Sequence, residues 1–365
     1  AAEAAHQLGV ATQERGQLAE AERVLAQALH LADAARDDAL RVDVLFRLAR
    51  NANERGRPDD VERILDDLAA VARRVGTPEA RAQHVEMSRV YATSRGELAR
   101  ALELAQELLA LREQIGQPLR IAGAAAGLGA QFVDASRYAE AEPHLRRAQE
   151  ALARLLGPEH PNQARLMANL AVVRMGTGHP DEALQMFQEA LEILVAAGMG
   201  EQPEALTMRN AIVAAWTELG RYDEAYAELE RLLVRNEKAL GVEARQVGTL
   251  LYNLGDNRQK AGDLESAVAW LRKALAHAER NRGVDHIWTA NCRWGLAAAV
   301  LEQGDSDEAL PLLVAALPVQ LAETGADSDD TSFTRLSLAR AYLDLGRPGE
   351  FQGSCRLAIQ ACFAL

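Results

Sequence analysis

A turn glycine followed five positions later by a small residue recurs along the whole chain. The clearest pairs are Gly16/Ala21, Gly96/Ala101, Gly178/Ala183, Gly220/Ala225, Gly262/Ala267 and Gly304/Ala309. Less typical residues fill the same positions at Gly56/Val61, Ser136/Ala141 and Gly346/Phe351. Successive first positions lie 40, 40, 40, 42, 42, 42, 42 and 42 residues apart. Recurrence at a fixed period is typical of stacked repeats, so the sequence predicts nine copies of one structural unit.

The residues around each turn position predict two helices joined by a tight turn. Glycine adopts a left-handed turn without steric cost, and a small residue lets two helices approach closely. Pairs of a large and a small residue, such as Leu128-Gly129 and Leu254-Gly255, precede the turn. A large apolar residue follows it in most repeats: Leu25, Leu65, Leu145, Phe187, Leu229, Leu271 and Leu313. Aromatic residues make up only 4% of the chain, and such a composition favours continuous helix.

This order of residues resembles the tetratricopeptide repeat. The stretch from Leu156 to Leu191, LGPEHPNQARLMANLAVVRMGTGHPDEALQMFQEAL, is especially similar to the longer repeats of kinesin light chain and its bacterial relatives. The period of 40 or 42 residues departs from the usual 34. In the fifth repeat we place the additional residues at the helix ends that flank the loop from Gly198 to Glu201. The resemblance implies an all-α solenoid of nine helix–turn–helix repeats over residues 1–365, forming a right-handed superhelix.

The resemblance also implies a function, because the first helices of tetratricopeptide arrays line a groove that holds a peptide or a partner helix. Counting back from each turn position gives the inward-facing residues. We expect a peptide-binding groove formed by Arg165, Asn210, Thr249, Tyr252, Asp256, Asn291, Trp294, Phe333 and Arg340. Asparagine amides can donate to and accept from a peptide backbone, aromatic rings give large rigid surfaces, and guanidinium groups bind carboxylates.

Several of these residues have a structural interpretation beside the functional one. An aromatic residue on a helix is as often part of the core as of a contact, and Trp294 can be either. We assign Trp216, Trp270 and Trp288 to packing. His160, in the segment GPEHP before a helix, is interpreted as a turn or capping residue.

The sequence contains no phosphate loop, nucleotide fingerprint, serine nucleophile elbow or paired metal-ligand cysteines. We therefore predict a non-catalytic protein–protein interaction scaffold without cofactor or metal. The alternative is a regulatory or sensor arm of a larger bacterial signalling protein, such as a protein kinase or a nucleotide-dependent switch.

The net charge and the cysteine content limit which classes of partner and which cellular compartment we expect. The net charge is −13 and no basic block occurs, so we expect no nucleic-acid partner. There is no apolar run long enough for membrane insertion. The three cysteines, Cys292, Cys355 and Cys362, indicate a reducing cytoplasm. The preference for arginine over lysine suggests a GC-rich bacterium. The missing initiator Met and the apolar run from Leu357 to Leu365 predict a piece of a longer chain or self-association through the last helix.

Overall fold

The structure is a computed structural model in which residues 1–347 are described. These residues form seventeen α-helices and no β-strand, so the predicted all-α repeat fold is confirmed. The helices are α1 (Ala2–Glu14), α2 (Leu18–Ala35), α3 (Asp38–Glu54), α4 (Pro58–Val75), α5 (Pro78–Ser94), α6 (Leu98–Ile115), α7 (Pro118–Asp134), α8 (Tyr138–Leu156), α9 (Pro161–Gly176), α10 (Pro180–Ala196), α11 (Pro203–Glu218), α12 (Tyr222–Leu240), α13 (Arg245–Lys260), α14 (Leu264–Arg282), α15 (Ile287–Gln303), α16 (Ser306–Glu323) and α17 (Asp329–Asp344).

The chain divides into two compact units, Ala1–Met208 (unit 1) and Arg209–Leu365 (unit 2). Each odd-numbered helix from α1 to α15 is the first helix of a predicted hairpin, and the following helix is its second. The helix α17 is the first helix of the ninth repeat. The predicted second helix of that repeat, with Phe351, Cys355, Cys362 and the apolar run to Leu365, lies outside the described residues. One continuous right-handed superhelix over residues 1–365 stays a prediction.

All nine predicted turn positions adopt a left-handed backbone. The value of φ is 75° at Gly16 and 56° at Ser136, the one position where a side chain replaces glycine. A second series of residues with positive φ follows the second helices of the first eight hairpins, and the repeat pattern did not predict it. Its members are Arg36, Gly76, Gly116, Gly157, Gly198, Gly241, Gly283 and Gly325. The turns between repeats are of two kinds. Arg36, Gly76 and Gly116 adopt the left-handed helical conformation, whereas ψ is 157° at Gly157 and Gly241 and 166° at Gly283, an extended conformation with positive φ that is essentially restricted to glycine.

The predicted core of the hairpins is confirmed. Ala141, five residues after the turn, and Leu145, one helical turn later, are fully buried. A Cβ atom added to Gly129 would lie 2.6 Å from Cγ of Leu145, which is closer than real side-chain contacts. The residue after Leu128 must therefore be small, because Leu145 of the second helix occupies the space above Gly129.

The structure defines the roles of His160 and Cys292, two residues that the sequence singles out. His160 is the N-cap of α9, where its Nδ1 accepts a hydrogen bond from the backbone N–H of Asn162 at 3.1 Å. Cys292 is a free, fully buried thiol, and burial raises its pKa to about 12. The thiol is therefore a small core residue rather than a reactive group.

First helices of neighbouring hairpins contact one another within each unit. The contacts join α1 to α3, α3 to α5 and α7 to α9 in unit 1, and α13 to α15 and α15 to α17 in unit 2. The second helices of adjacent hairpins make no comparable contact in the described part of the chain. Because the first helices lie closer together than the second helices, each unit has a concave side formed by first helices. We call this side the inner face.

Candidate functional site

An aromatic surface lies on the inner face of unit 2. It consists of Tyr252 on α13, Trp288 and Trp294 on α15, and Phe333 on α17. The ring centroids of Tyr252 and Trp288 are 5.4 Å apart, and those of Trp294 and Phe333 are 5.9 Å apart. These contacts cross from one first helix to the next and form two aromatic pairs, Tyr252–Trp288 and Trp294–Phe333. A shared groove for Tyr252, Trp294 and Phe333 stays a prediction.

Tyr252 and Trp294 are held in place by packing. A Cβ atom on Gly295 would lie 2.7 Å from Cε2 of Tyr252, so the glycine makes room for the ring. Burial raises the pKa of Tyr252 well above its usual range, and its hydroxyl therefore stays protonated. Trp294 is half-buried against the core of unit 2, and its indole Nε1–H is buried without a hydrogen-bond partner. Both the core and the contact interpretation of Trp294 thus have support.

The aromatic surface continues into exposed aliphatic side chains on α17. Phe333 is 51% exposed, Leu336 is 58% exposed and Leu343 is 59% exposed. These residues and Arg340 follow each other at spacings of three, four and three, so they share one side of the helix. The opposite side of α17 packs into the core through Leu338 and Ala341. We call Phe333, Leu336 and Leu343 the α17 stripe.

Asn291 is already hydrogen-bonded within unit 2. Its Oδ1 accepts from Nε2 of Gln320 at 3.0 Å, and its Nδ2 donates to Oδ2 of Asp330 at 3.2 Å. Gln320 is 1% exposed, so this contact connects the inner face to a buried side chain of α16. The sequence predicted that the amide of Asn291 hydrogen-bonds a peptide backbone, but it gave no indication of these two partners.

The other predicted polar residues are more accessible. Asn210 and Thr249 are exposed on α11 and α13. Asp256 forms an ion pair with Lys260 at 2.9 Å. Arg340 is exposed and donates a hydrogen bond to the carbonyl oxygen of Leu301 at 3.2 Å.

Arg165 belongs to unit 1, whereas the other eight predicted groove residues belong to unit 2. Arg165 is exposed on α9 and lines a cavity of about 370 Å³ together with Arg89 and Arg120. Sequence reasoning missed these two arginines. One sequence signal of a cavity was available, namely Gly123 and Gly127 inside α7. Glycine in a helix interior destabilises the helix, so its presence indicates close packing or open space at that position.

Trp216 and Trp270 contact neighbouring polar side chains. Nε1 of Trp270 donates to the hydroxyl of Tyr226 at 3.3 Å, and Nζ of Lys273 lies 3.9 Å from the centroid of the indole ring. The guanidinium carbon of Arg221 lies 6.0 Å from the ring centroid of Trp216. Trp288, which the sequence assigns to packing, packs against the ring of Tyr252 within the aromatic surface.

Within residues 1–347 no group of three or more His, Cys, Asp or Glu side chains is arranged to hold a metal ion. None of the described helices has the length and apolar character needed to cross a membrane.

Comparison with known families identifies the class of protein. Models of the tetratricopeptide repeat match residues 120–194, 203–280 and 246–322, which together make up more than half of the chain. Further models of the same repeat match residues 1–32 and 333–350. The chain therefore belongs to the tetratricopeptide repeat family, and the resemblance found in the sequence is confirmed. A search of curated proteins finds no match.

Solved structures agree with this assignment. The apo form of RapI is similar with a TM-score of 0.72 and 14% identity, covering 99% of this chain and 97% of RapI. The apo form of the quorum sensor NprR from B. thuringiensis has a TM-score of 0.71 and 13% identity, with 99% and 98% covered. Kinesin-light-chain-type repeats from Podospora anserina have a TM-score of 0.47 and 23% identity, with 56% and 96% covered. At these identities, the first two matches establish the fold.

Proposed function

We propose that this chain is a non-catalytic scaffold that binds a peptide or helix of a partner protein on its inner face. The observation that carries the proposal is the α17 stripe beside the aromatic surface of unit 2. Large apolar side chains that share one exposed side of a helix mark an interaction site more often than single exposed ones do. The ligand that fits has apolar anchor residues, since Phe333 and Leu336 offer it an apolar surface.

The fold also supports the proposal. RapI and NprR share this fold, and related solved structures contain a Rap protein with the Competence and Sporulation Factor and NprR with its cognate peptide NprX. A curved stack of helical hairpins provides a long surface without an enclosed catalytic cavity. The regulatory alternative uses the same surface. A cytoplasmic location and self-association stay predictions from the sequence.

Selection of peptides against the whole chain tests the function directly. A library of displayed peptides is selected on the immobilised protein, and the affinity of an enriched peptide is measured by titration calorimetry. The double substitution Phe333→Ala and Leu336→Ala is expected to weaken this affinity about tenfold, because it removes two of the three large apolar side chains of the α17 stripe. Circular dichroism should stay unchanged, since both side chains are more than half exposed.

Val314→Ala is the matched control, because Val314 is 50% exposed on α16, a second helix. It should leave the affinity unchanged. Failure to enrich any peptide, or equal affinities for the double variant and the control, would contradict binding at the α17 stripe.

A further inference from the structure

A cavity on the inner face of unit 1 collects arginines from several helices. Arg89 on α5, Arg120 on α7 and Arg165 on α9 line it, and its volume is about 370 Å³. The first helices α5 and α7 are not packed together as closely as α3 and α5 or α7 and α9. Gly123 of α7 lies on the wall, and a Cβ added there would meet no atom within 4 Å. We call this cavity the arginine bay.

The protein balances the charges in the arginine bay only in part, because Glu86 is the one carboxylate among the residues that line it. Arg112, at the wall, is 5% exposed and forms an ion pair with Glu86 at 2.6 Å. Among the described residues no carboxylate lies within ion-pair distance of Arg89, Arg120 or Arg165. Most arginines of residues 1–347 do form such pairs, including Arg81 and Arg174 nearby in sequence. Three unpaired guanidinium groups around one cavity are therefore an exception in a chain of net charge −13.

Arg89 is the most constrained of the three. Its guanidinium carbon lies 3.9 Å from the position of a Cβ on Gly127, so the group rests against the backbone of α7. Its Nε is buried and has no hydrogen-bond partner. Burial lowers the pKa of Arg89, and Arg165 lowers it further, whereas the carboxylates of Glu86 and Asp134 oppose this shift. A buried donor without an acceptor is unfavourable, and a bound oxyanion would supply the acceptor.

We propose that the arginine bay binds a dianionic oxyanion, the phosphate group of a phosphorylated side chain. Three guanidinium groups carry more hydrogen-bond donors and more positive charge than a single carboxylate can pair with. A phosphate has several acceptor oxygens and two negative charges, so it matches them better. The volume of about 370 Å³ is sufficient for the phosphate together with the side chain that carries it. The attachment to a peptide rests on the proposed function, but binding of the free dianion does not.

The first experiment uses inorganic phosphate as the probe. Calorimetry at constant ionic strength should show saturable binding to the whole chain that weakens from pH 8 to pH 5.5, as the anion loses its second charge. Sulfate, which stays doubly charged, should bind equally at both pH values. Arg120→Gln and Arg165→Gln should each weaken phosphate binding about tenfold, because each removes a charge-assisted hydrogen bond. Both side chains are exposed, so the fold should be retained.

Two further variants separate the arginine bay from general charge effects. Gly123→Glu places a carboxylate in the open space of the arginine bay and should abolish phosphate binding. Arg245→Gln removes an exposed arginine of unit 2 that forms no ion pair in the described structure, and phosphate binding should persist. Absence of saturable binding, or equal losses in Arg245→Gln and Arg165→Gln, would overturn the proposal.

The second experiment identifies the source of the anion. An alanine-rich peptide with one phosphoserine is compared with the same peptide carrying serine. Tighter binding of the phosphorylated form, lost in Gly123→Glu, supports a peptide-borne phosphate. Phosphate binding without any preference for the phosphopeptide would overturn the attachment to a peptide and leave a site for a free dianion. Neither result depends on the α17 stripe, so failure here is distinct from failure of the proposed function.

Discussion

Replacing Leu145 with alanine should lower the free energy of unfolding by about 3 kcal/mol. The side chain is fully buried between the helices of the fourth hairpin, and its Cγ lies above Gly129. Because glycine has no side chain that could move into the gap, the removed atoms leave a cavity that closes poorly. Chemical denaturation followed by circular dichroism measures the change.

Leu155→Ala provides the control in the same helix. Leu155 is 46% exposed on α8, and its truncation should change the stability by less than about 0.5 kcal/mol. Hydrogen exchange should place the loss caused by Leu145→Ala in α7 and α8, because repeat arrays depend on contacts between neighbours. Similar losses in the two variants would show that the close packing on Gly129 does not determine stability.

The hairpins could be predicted because their determinants are local. Ser136, Ala141 and Leu145 lie within ten residues of one another, and turn, close contact and filler recur in that order in nearly every repeat. The left-handed turn at Ser136 followed from its place in the series, although serine alone would not predict it. The number of residues between turn, close contact and filler is a property of the sequence itself, so the sequence is sufficient to identify the fold.

The site was less predictable because it depends on distances between helices. Counting from the turn placed Asn291 on the inner face, but its bond to Gln320 depends on how α16 packs beneath α15. The arginine bay likewise depends on the spacing between α5 and α7. Arg89 follows no repeat pattern, and only the arrangement of neighbouring hairpins brings it near Arg165.

Asn291→Ala should lower the free energy of unfolding by about 2 kcal/mol, more than expected for a residue that only contacts a ligand. Gln320 is buried, and its Oε1 already lacks a hydrogen-bond partner. Loss of the Asn291 amide would also leave Nε2 of Gln320 without an acceptor. Asn210→Ala, on the exposed side of α11, is the control and should stay within about 0.5 kcal/mol of the unsubstituted protein.

A double-mutant cycle distinguishes the hydrogen bond from simple loss of packing. Gln320→Leu in the Asn291→Ala background should recover part of the lost stability, because an apolar side chain leaves no unpaired polar atoms. The coupling energy between the two positions should be about 1 kcal/mol or more. If Asn291→Ala instead leaves stability intact and weakens binding of a selected peptide, its amide is a ligand contact and Gln320 is not its essential partner. Because Asn291 is a predicted groove residue whose amide is hydrogen-bonded to the buried Gln320, its two roles can be separated by measuring stability and affinity on the same variants.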